Sequence, residues 1–298
     1  MFENIKKNKI QTGFIISIFI LIITLIIYYV CNALELGSAS IIVALIFSFF
    51  SAYITYYNCD KIVLKVNKAR PATKEENLYL VNILDALVIA AGLEHTPKLY
   101  VIDDPQPNAF ATGRNPEHSV ICVTTGLLQK LEYYELEGVI AHELGHIRNY
   151  DILLSAIVSI MVGFVVMLSD MFSRTLFWGG VKDRDSDDSK GNAILMVIGL
   201  IFLVISPIVG KLMQLAISRK REYMADATAV EFTRNPQGLI SALRKLDEDT
   251  SKGEFANSAT ANMYIVNPFK GKKEKRKSDL FSTHPCIQDR IDALESLK

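Results

Sequence analysis

Apolar positions come first in long uncharged blocks and later in periodic patterns. Ile10 to Leu34 is bracketed by Lys9 and Glu35, and Leu36 to Cys59 by Glu35 and Asp60. Each block reaches the roughly 20 residues that carry a helix across about 30 Å of hydrocarbon, so the pattern predicts a transmembrane hairpin. A third uncharged run lies between Asp151 and Asp170 and a fourth between Lys190 and Lys211, which predicts a second hairpin. Lys6, Lys7 and Lys9 precede the first block as they would a signal peptide. Its apolar part is longer than the usual h-region of about 7–15 residues, and a second span follows at once, so it reads as a retained anchor. The chain therefore divides into a hairpin over 1–59, a soluble stretch over 60–150, a second hairpin over 151–212 and a soluble part over 213–298.

Within the soluble parts the periods change. Thr73 to Leu93 has helical spacing, with Thr73 as cap, Glu76 three residues on and Gly92 at the end. The stretches "PKLYVIDD", "NAFATGR" and "HSVICVTTGLL" predict three short strands, the last running into a Thr-Thr-Gly turn. A helix is expected from about Glu132 to Tyr150, and "LMQLAISRKREYMADATAVEF" is helical in composition, without Gly or Pro. The basic run Lys272 to Lys277 reads as a solvated loop.

Formal net charge is zero, which removes any global argument for a nucleic-acid partner. Local charge says more. Three lysines precede the first span, the link at Glu35 has no Lys or Arg, and Lys61, Lys65, Lys68 and Arg70 follow the second span. The positive-inside bias then places the N-terminus and the soluble parts in the cytoplasm. The four cysteines, Cys31, Cys59, Cys122 and Cys286, form no CxxC pair and no disulfide spacing, as fits reduced thiols.

The chemistry centres on "HELGH", His142 to His146. Residues four apart share a helical face, so the two imidazoles project side by side, the spacing for two ligands of one zinc ion. Glu143 lies at the edge of that face, where it can act as general base on zinc-activated water attacking a peptide carbonyl. Catalytic zinc needs a third protein ligand and an open position. Glu222, 76 residues after His146, is available, and two crossings would return the chain to the same side. Spacing alone fits that role or a juxtamembrane ion pair with Arg219 or Arg221 equally well. Asp226 shares a helical face with Glu222 and could fix an imidazole tautomer through a hydrogen bond.

"HELGH", "SRKREYMADATAVEFT", "PNAFATGR", "STHPCIQDRI" and the four-span layout together resemble the HtpX-type membrane zinc endopeptidases, relatives of the CAAX prenyl endopeptidases. The resemblance covers nearly the whole chain. It implies an α+β, mainly α protein: four transmembrane helices and a cytoplasmic zincin-like domain with a small β-sheet. It further implies one Zn2+ per chain held by His142, His146 and Glu222, with Glu143 as base and Asp226 behind the ligands. Asn108, with Ala109 and Phe110, falls on the family's edge strand, where substrate backbone would lie. His284 matches a family position that could stabilise the oxyanion, though "STHP" equally reads as a helix start. Cys286 stands where relatives often carry proline. The expected function is an ATP-independent endopeptidase of a bacterial plasma membrane, cutting misfolded or damaged membrane proteins. A non-catalytic membrane scaffold or regulator with a structural metal site is the alternative. A small transporter fits less well, because the spans are almost free of ionisable residues.

Overall fold

The computed structural model describes residues 2–33, 37–179, 199, 219–251, 253, 260–266 and 285–297. Two long helices open the chain, α1 (Phe2–Ala33) and α2 (Ala39–Val66). A short strand β1 (Arg70–Pro71), helix α3 (Lys74–Ala91) and strands β2 (Lys98–Ile102), β3 (Ala109–Asn115) and β4 (His118–Thr124) follow. Helices α4 (Thr125–Lys130), α5 (Tyr133–Arg148) and α6 (Ile152–Gly179) complete the first part. Beyond it lie α7 (Arg219–Thr233), α8 (Pro236–Glu248), a 3-10 turn (Ala261–Met263) and α9 (Ile287–Glu295).

Among the described residues, two helices are long and apolar enough to cross a membrane: Ile5–Tyr29 within α1, and α2. The number rises to three if α5 and α6, bent by 89° at a short break, are one broken span. The second span does not stop at Cys59. The helix kinks at Asn58, whose backbone leaves helical geometry, and runs on to Val66. The third expected span begins where α6 does, and the fourth, between Lys190 and Lys211, lies almost wholly outside the described residues.

The three expected strands form a four-stranded sheet with β1, in the order β1-β2-β4-β3. β2 pairs parallel to β4, whereas β3 and β4 make an antiparallel hairpin with a register shift near Gly113. Both faces are covered, so the strands carry continuous apolar runs rather than alternation. One face, with Val101, Ala109, Ala111, Ile121 and Val123, packs in the core with α3, α5, α8 and α9. The other face, with Ile102, Phe110, Val120 and Cys122, packs on Cys59, Val63 and Leu64 of α2 and Ala156 of α6. The membrane helices thus serve directly as the second layer on the sheet. The expected Thr-Thr-Gly turn is instead the start of α4, because the Thr124 side chain accepts from the Leu127 N–H and caps a helix.

The α5–α6 corner is tied to its neighbours by Asn8 of α1. Asn8 is buried; its Nδ2 donates to the Asn149 carbonyl at 2.9 Å, and its Oδ1 accepts from Arg221 Nη1 of α7 at 3.2 Å. The corner passes through Tyr150 at φ 59°, a left-handed backbone uncommon in a residue with a side chain. The Lys9 ammonium lies 4.2 Å from the centre of the Tyr150 ring.

Thr73 and Glu76 cap α3 as the sequence predicts, and Gly92 closes it in a left-handed conformation. Glu76 is also gripped by Arg70, which donates to both its oxygens at 2.9 Å and to Asp103 at 2.6 and 2.8 Å. The bond from Arg70 holds the Glu76 carboxyl down to about 2, below its ordinary 4.5. A folded-state pKa that is depressed stabilises above the ordinary value, and the contribution fades as pH falls from about 4.5 toward 2. The Arg70 side chain keeps 34% of its surface exposed, so solvent screening limits the pair to under about 1 kcal/mol. Arg70→Met is therefore expected to lower stability slightly at neutral pH and to flatten the acid-side decline across that window, read from thermal melts of the detergent-solubilised chain.

Candidate metal centre

Helix α5 is buried along nearly its whole length, from Glu135 to Ile147. Its start is fixed by Glu135, whose Oε2 accepts from the Glu132 N–H at 2.8 Å and from Lys245 Nζ of α8 at 2.7 Å. Where α7 crosses α5, the contact point is Gly145. A Cβ there would meet Ala225 Cα and its carbonyl oxygen at 3.2 Å, and Thr228 Cβ at 3.4 Å. The absence of a side chain at Gly145 lets the two backbones approach. Glu222, about a turn before Ala225 on α7, and Asp226, next to it, then face His142 and His146 on α5.

His142, His146 and Glu222 present ligand atoms that all lie within 4.8 Å of one another. The two Nε2 atoms are 3.2 Å apart, and each is 3.7 Å from an oxygen of Glu222. Tetrahedral zinc with bonds near 2.0–2.1 Å spaces its ligand atoms about 3.3 Å apart. The donor set and its spacing therefore fit one zinc ion, with two imidazoles and one carboxylate as the protein ligands. Arg221, one partner in the ion-pair alternative for Glu222, directs its Nη1 to Asn8 and to Gln11 at 3.4 Å and adds its charge to the field at Glu222.

Behind the ligands stand two carboxylates. Asp226 Oδ1 is 2.9 Å from His142 Nδ1, and Asp151 Oδ2 is 3.1 Å from His146 Nδ1. An ionised carboxylate only accepts, so each Nδ1 carries a proton and each Nε2 faces the ligand set. Asp226 was expected in this place and Asp151 was not. It sits in the α5–α6 corner, where its backbone N–H donates to the His146 carbonyl at 3.3 Å, and the turn through Tyr150 carries its side chain back to the imidazole. Burial lowers the His146 pKa, but Asp151, then Glu222 and Glu143, outweigh that and carry it up to about 10. Burial, then the positive charge of Arg290, lower that of His142.

Arg290, on α9, was also not anticipated. It has no exposed surface; Nε donates to Asp226 Oδ2 at 2.9 Å and Nη2 to Oδ1 at 2.7 Å, while Nη1 lies 3.6 Å from Glu222. This two-pronged grip holds Asp226 ionised below its ordinary value even though burial alone would raise it. A sequence signal existed: Ile287, Arg290, Ile291 and Leu294 share one helical face, so an arginine interrupts an apolar stripe.

Glu143 keeps 2% of its surface exposed, and burial pushes its carboxyl up to about 7 against the pull of His146, with Glu222 raising it further. The neighbouring Ala111 backbone of β3 acts in the opposite sense and lowers it. Asn108 precedes β3 and is buried, as are Ala109 and Phe110. The Phe110 ring points to the membrane-helix side of the sheet, stacking edge-on against Tyr264 at 5.2 Å. His284 lies outside the described residues. His95 and His118 are exposed, away from this centre.

Glu222→Ala is expected to cut zinc retention sharply, measured as metal content after dialysis against a chelator. Full zinc content in that variant would remove Glu222 from the set. Asp151→Ala is expected to weaken zinc affinity by roughly 10–100-fold while leaving all three ligands in place.

Residues 74–298 match the family described as "Peptidase family M48". The chain is 45% identical over 296 residues to "Protease HtpX homolog" of Dictyoglomus thermophilum, covering 99% of this chain and 94% of that protein. It is 46% identical over 299 residues to the protein of the same description from Caldanaerobacter subterraneus subsp. tengcongensis, covering 100% and 98%. The Listeria monocytogenes serotype 4a homologue is 42% identical over 308 residues, spanning all of both chains. The crystal structure of S. mikatae Ste24p covers 99% of this chain and 67% of its own, at 17% identity and a TM-score of 0.49, too distant to carry an argument. The matched span contains both histidines, Glu222 and Arg290, and on that evidence the chain belongs to peptidase family M48, a zinc-dependent family of metalloproteases.

Proposed function

We propose that this chain is an integral-membrane zinc endopeptidase that hydrolyses peptide bonds of membrane or unfolded polypeptides, with Glu143 as general base. The observation that carries the proposal is the convergence of His142, His146 and Glu222 beside a buried Glu143. When bound, the zinc supplies Lewis acidity, which polarises a peptide carbonyl and acidifies water. Glu143 stands at the edge of the ligand face. Its carboxylate takes a proton from the attacking water and returns it to the nitrogen of the departing amine. A carboxyl whose proton affinity lies near neutrality is suited to both transfers. Asp226 and Asp151 hold the imidazoles in register, and Arg290 balances the buried negative charge. Polypeptide enters along β3, the edge strand that passes Glu143. The His146 side is the open one, with 18% of that side chain exposed, against 1% for His142.

The bilayer enters through the sheet. Because α2 and α6 pack on its back face, and Asn8 of α1 bonds to the α5–α6 corner, the centre lies close to the apolar helices. That placement favours loops of membrane proteins near the bilayer as substrates, including misfolded or damaged ones. The lysines flanking α1 and α2 favour a cytoplasmic location for the centre, in a bacterial plasma membrane. Glu143→Gln is expected to keep its zinc and to lose cleavage of a loosely folded polypeptide by roughly 10²–10⁴-fold. Cleavage at the parent rate by the zinc-loaded variant would show that the base is another group.

A further inference from the structure

Among the described strands, β3 stands at an edge of the sheet. The Asn108 carbonyl accepts from the Thr124 N–H of β4 at 3.0 Å, so by antiparallel alternation Ala109 and Ala111 turn their backbone groups outward. The Ala111 backbone is near enough to Glu143 to lower its carboxyl pKa. The outward carbonyl of Ala109 is engaged by the chain itself, accepting from the Ile265 N–H at 3.0 Å. Asn108 brackets the next residue: its Nδ2 donates to the Val266 carbonyl at 2.8 Å and its Oδ1 accepts from the Val266 N–H at 3.3 Å. Residues 265 and 266 lie against 109 and 108 in that order, which is antiparallel. The Ile265–Ala109 bond is of the kind a peptide makes when it adds to a sheet edge, and the Asn108 side chain supplies the pair to Val266. The Ile265 carbonyl accepts from Arg290 Nη1 at 3.2 Å, the same nitrogen that approaches Glu222. The stretch therefore lies across the edge immediately beside the metal centre.

Its other attachments lead to the membrane helices. Thr260 Oγ1 and Tyr264 Oη donate to one oxygen, Asn67 Oδ1 at the end of α2, at 2.7 and 3.1 Å. Ser159 Oγ of α6 donates to Asn262 Oδ1 at 3.0 Å. The short stretch thus touches three things that proteolysis would have to coordinate: the strand edge, the arginine behind the ligands and the ends of two membrane helices.

We propose, resting on the peptidase reading above, that Tyr264–Val266 occupies the peptide-binding edge of β3 in cis, as a substrate mimic that an incoming polypeptide must displace. Its bonds to Asn67 and its neighbour's bond to Ser159 make release depend on how α2 and α6 sit in the bilayer. The sites it fills are apolar, and they select extended segments with an aromatic residue followed by β-branched ones. An occupant in equilibrium with substrate raises the apparent KM in inverse proportion to the fraction of time the edge is open and leaves the chemical step alone.

The test uses the zinc-loaded full chain in lipid nanodiscs. Tyr264→Phe removes the hydroxyl that holds Asn67, and Ile265→Pro removes the N–H that Ala109 accepts. Each is expected to lower KM for an unfolded polypeptide roughly fivefold at unchanged kcat, the effect of losing one buried hydrogen bond from the closed state. An unchanged or higher KM in Tyr264→Phe overturns the mimic, because a purely structural brace behaves that way. Ile265→Pro can disturb folding, so amide hydrogen exchange supplies the second measurement. In the Glu143→Gln chain, a synthetic heptapeptide of residues 260–266 is expected to bind and to speed exchange at the chain's own Ile265 amide at least tenfold. No binding, or binding with that amide still protected, overturns the proposal. Should the parent cleave no polypeptide at all, the peptidase reading fails by itself, and the exchange result still decides the mimic.

Discussion

A guanidinium without exposed surface, Arg290, lies among three buried carboxylates, and the centre depends on that compensation. Glu143, Glu222 and Asp226 each keep 8% or less of their surface exposed. Desolvation alone would drive such groups toward their neutral forms, and close like charges would add to the effect. A neutral Asp226 could still bond His142, but it would no longer set the imidazole tautomer. The fork from Arg290 to both oxygens of Asp226 removes that freedom. Removing one partner of a buried pair leaves the other charge unpaired, which costs far more than the pair contributes. α9 is therefore part of the centre although it supplies no ligand.

Packing places these charges. Helices α5 and α7 approach at Gly145 closely enough that even a methyl group would force a shift of a few tenths of an ångström. The approach is what brings Glu222 to 3.7 Å from each Nε2. The same economy appears in the corner after α5. One left-handed residue, Tyr150, turns the chain by nearly a right angle and delivers Asp151 to His146. Asn8 reaches from α1 to the carbonyl in that corner and to Arg221 beneath Glu222, so the first membrane helix is fastened to both halves of the centre.

The sheet completes the connection between membrane and chemistry. It is covered by α3, α5, α8 and α9 on one side and by α2 and α6 on the other, with β3 at one edge. That edge passes the carboxylate of Glu143 and then meets the stretch from Thr260 to Val266.

Much of this was legible from residue order, and the remainder divides on a physical line. Interactions within a few residues leave periodic traces: the cap of α3 at Thr73, the uncharged blocks of α1 and α2, and the i, i+4 pairs His142–His146 and Glu222–Asp226. These follow from the helical repeat and from the length of helix that an apolar layer requires. Asp151 looked only like the charged boundary of an apolar run, and Arg290 like one charge in a polar helix. Both act through contacts that exist only after α6 turns away from α5 and α9 packs against α7. The pairing of Ile265 and Val266 with Asn108 and Ala109 joins positions more than 150 residues apart through one main-chain bond and one asparagine side chain, and residue order marks neither partner. Side-chain chemistry was thus written in the order of residues, while its charge balance and the occupancy of its strand edge were decided by tertiary contact, because backbone pairing and burial depend on which surfaces meet.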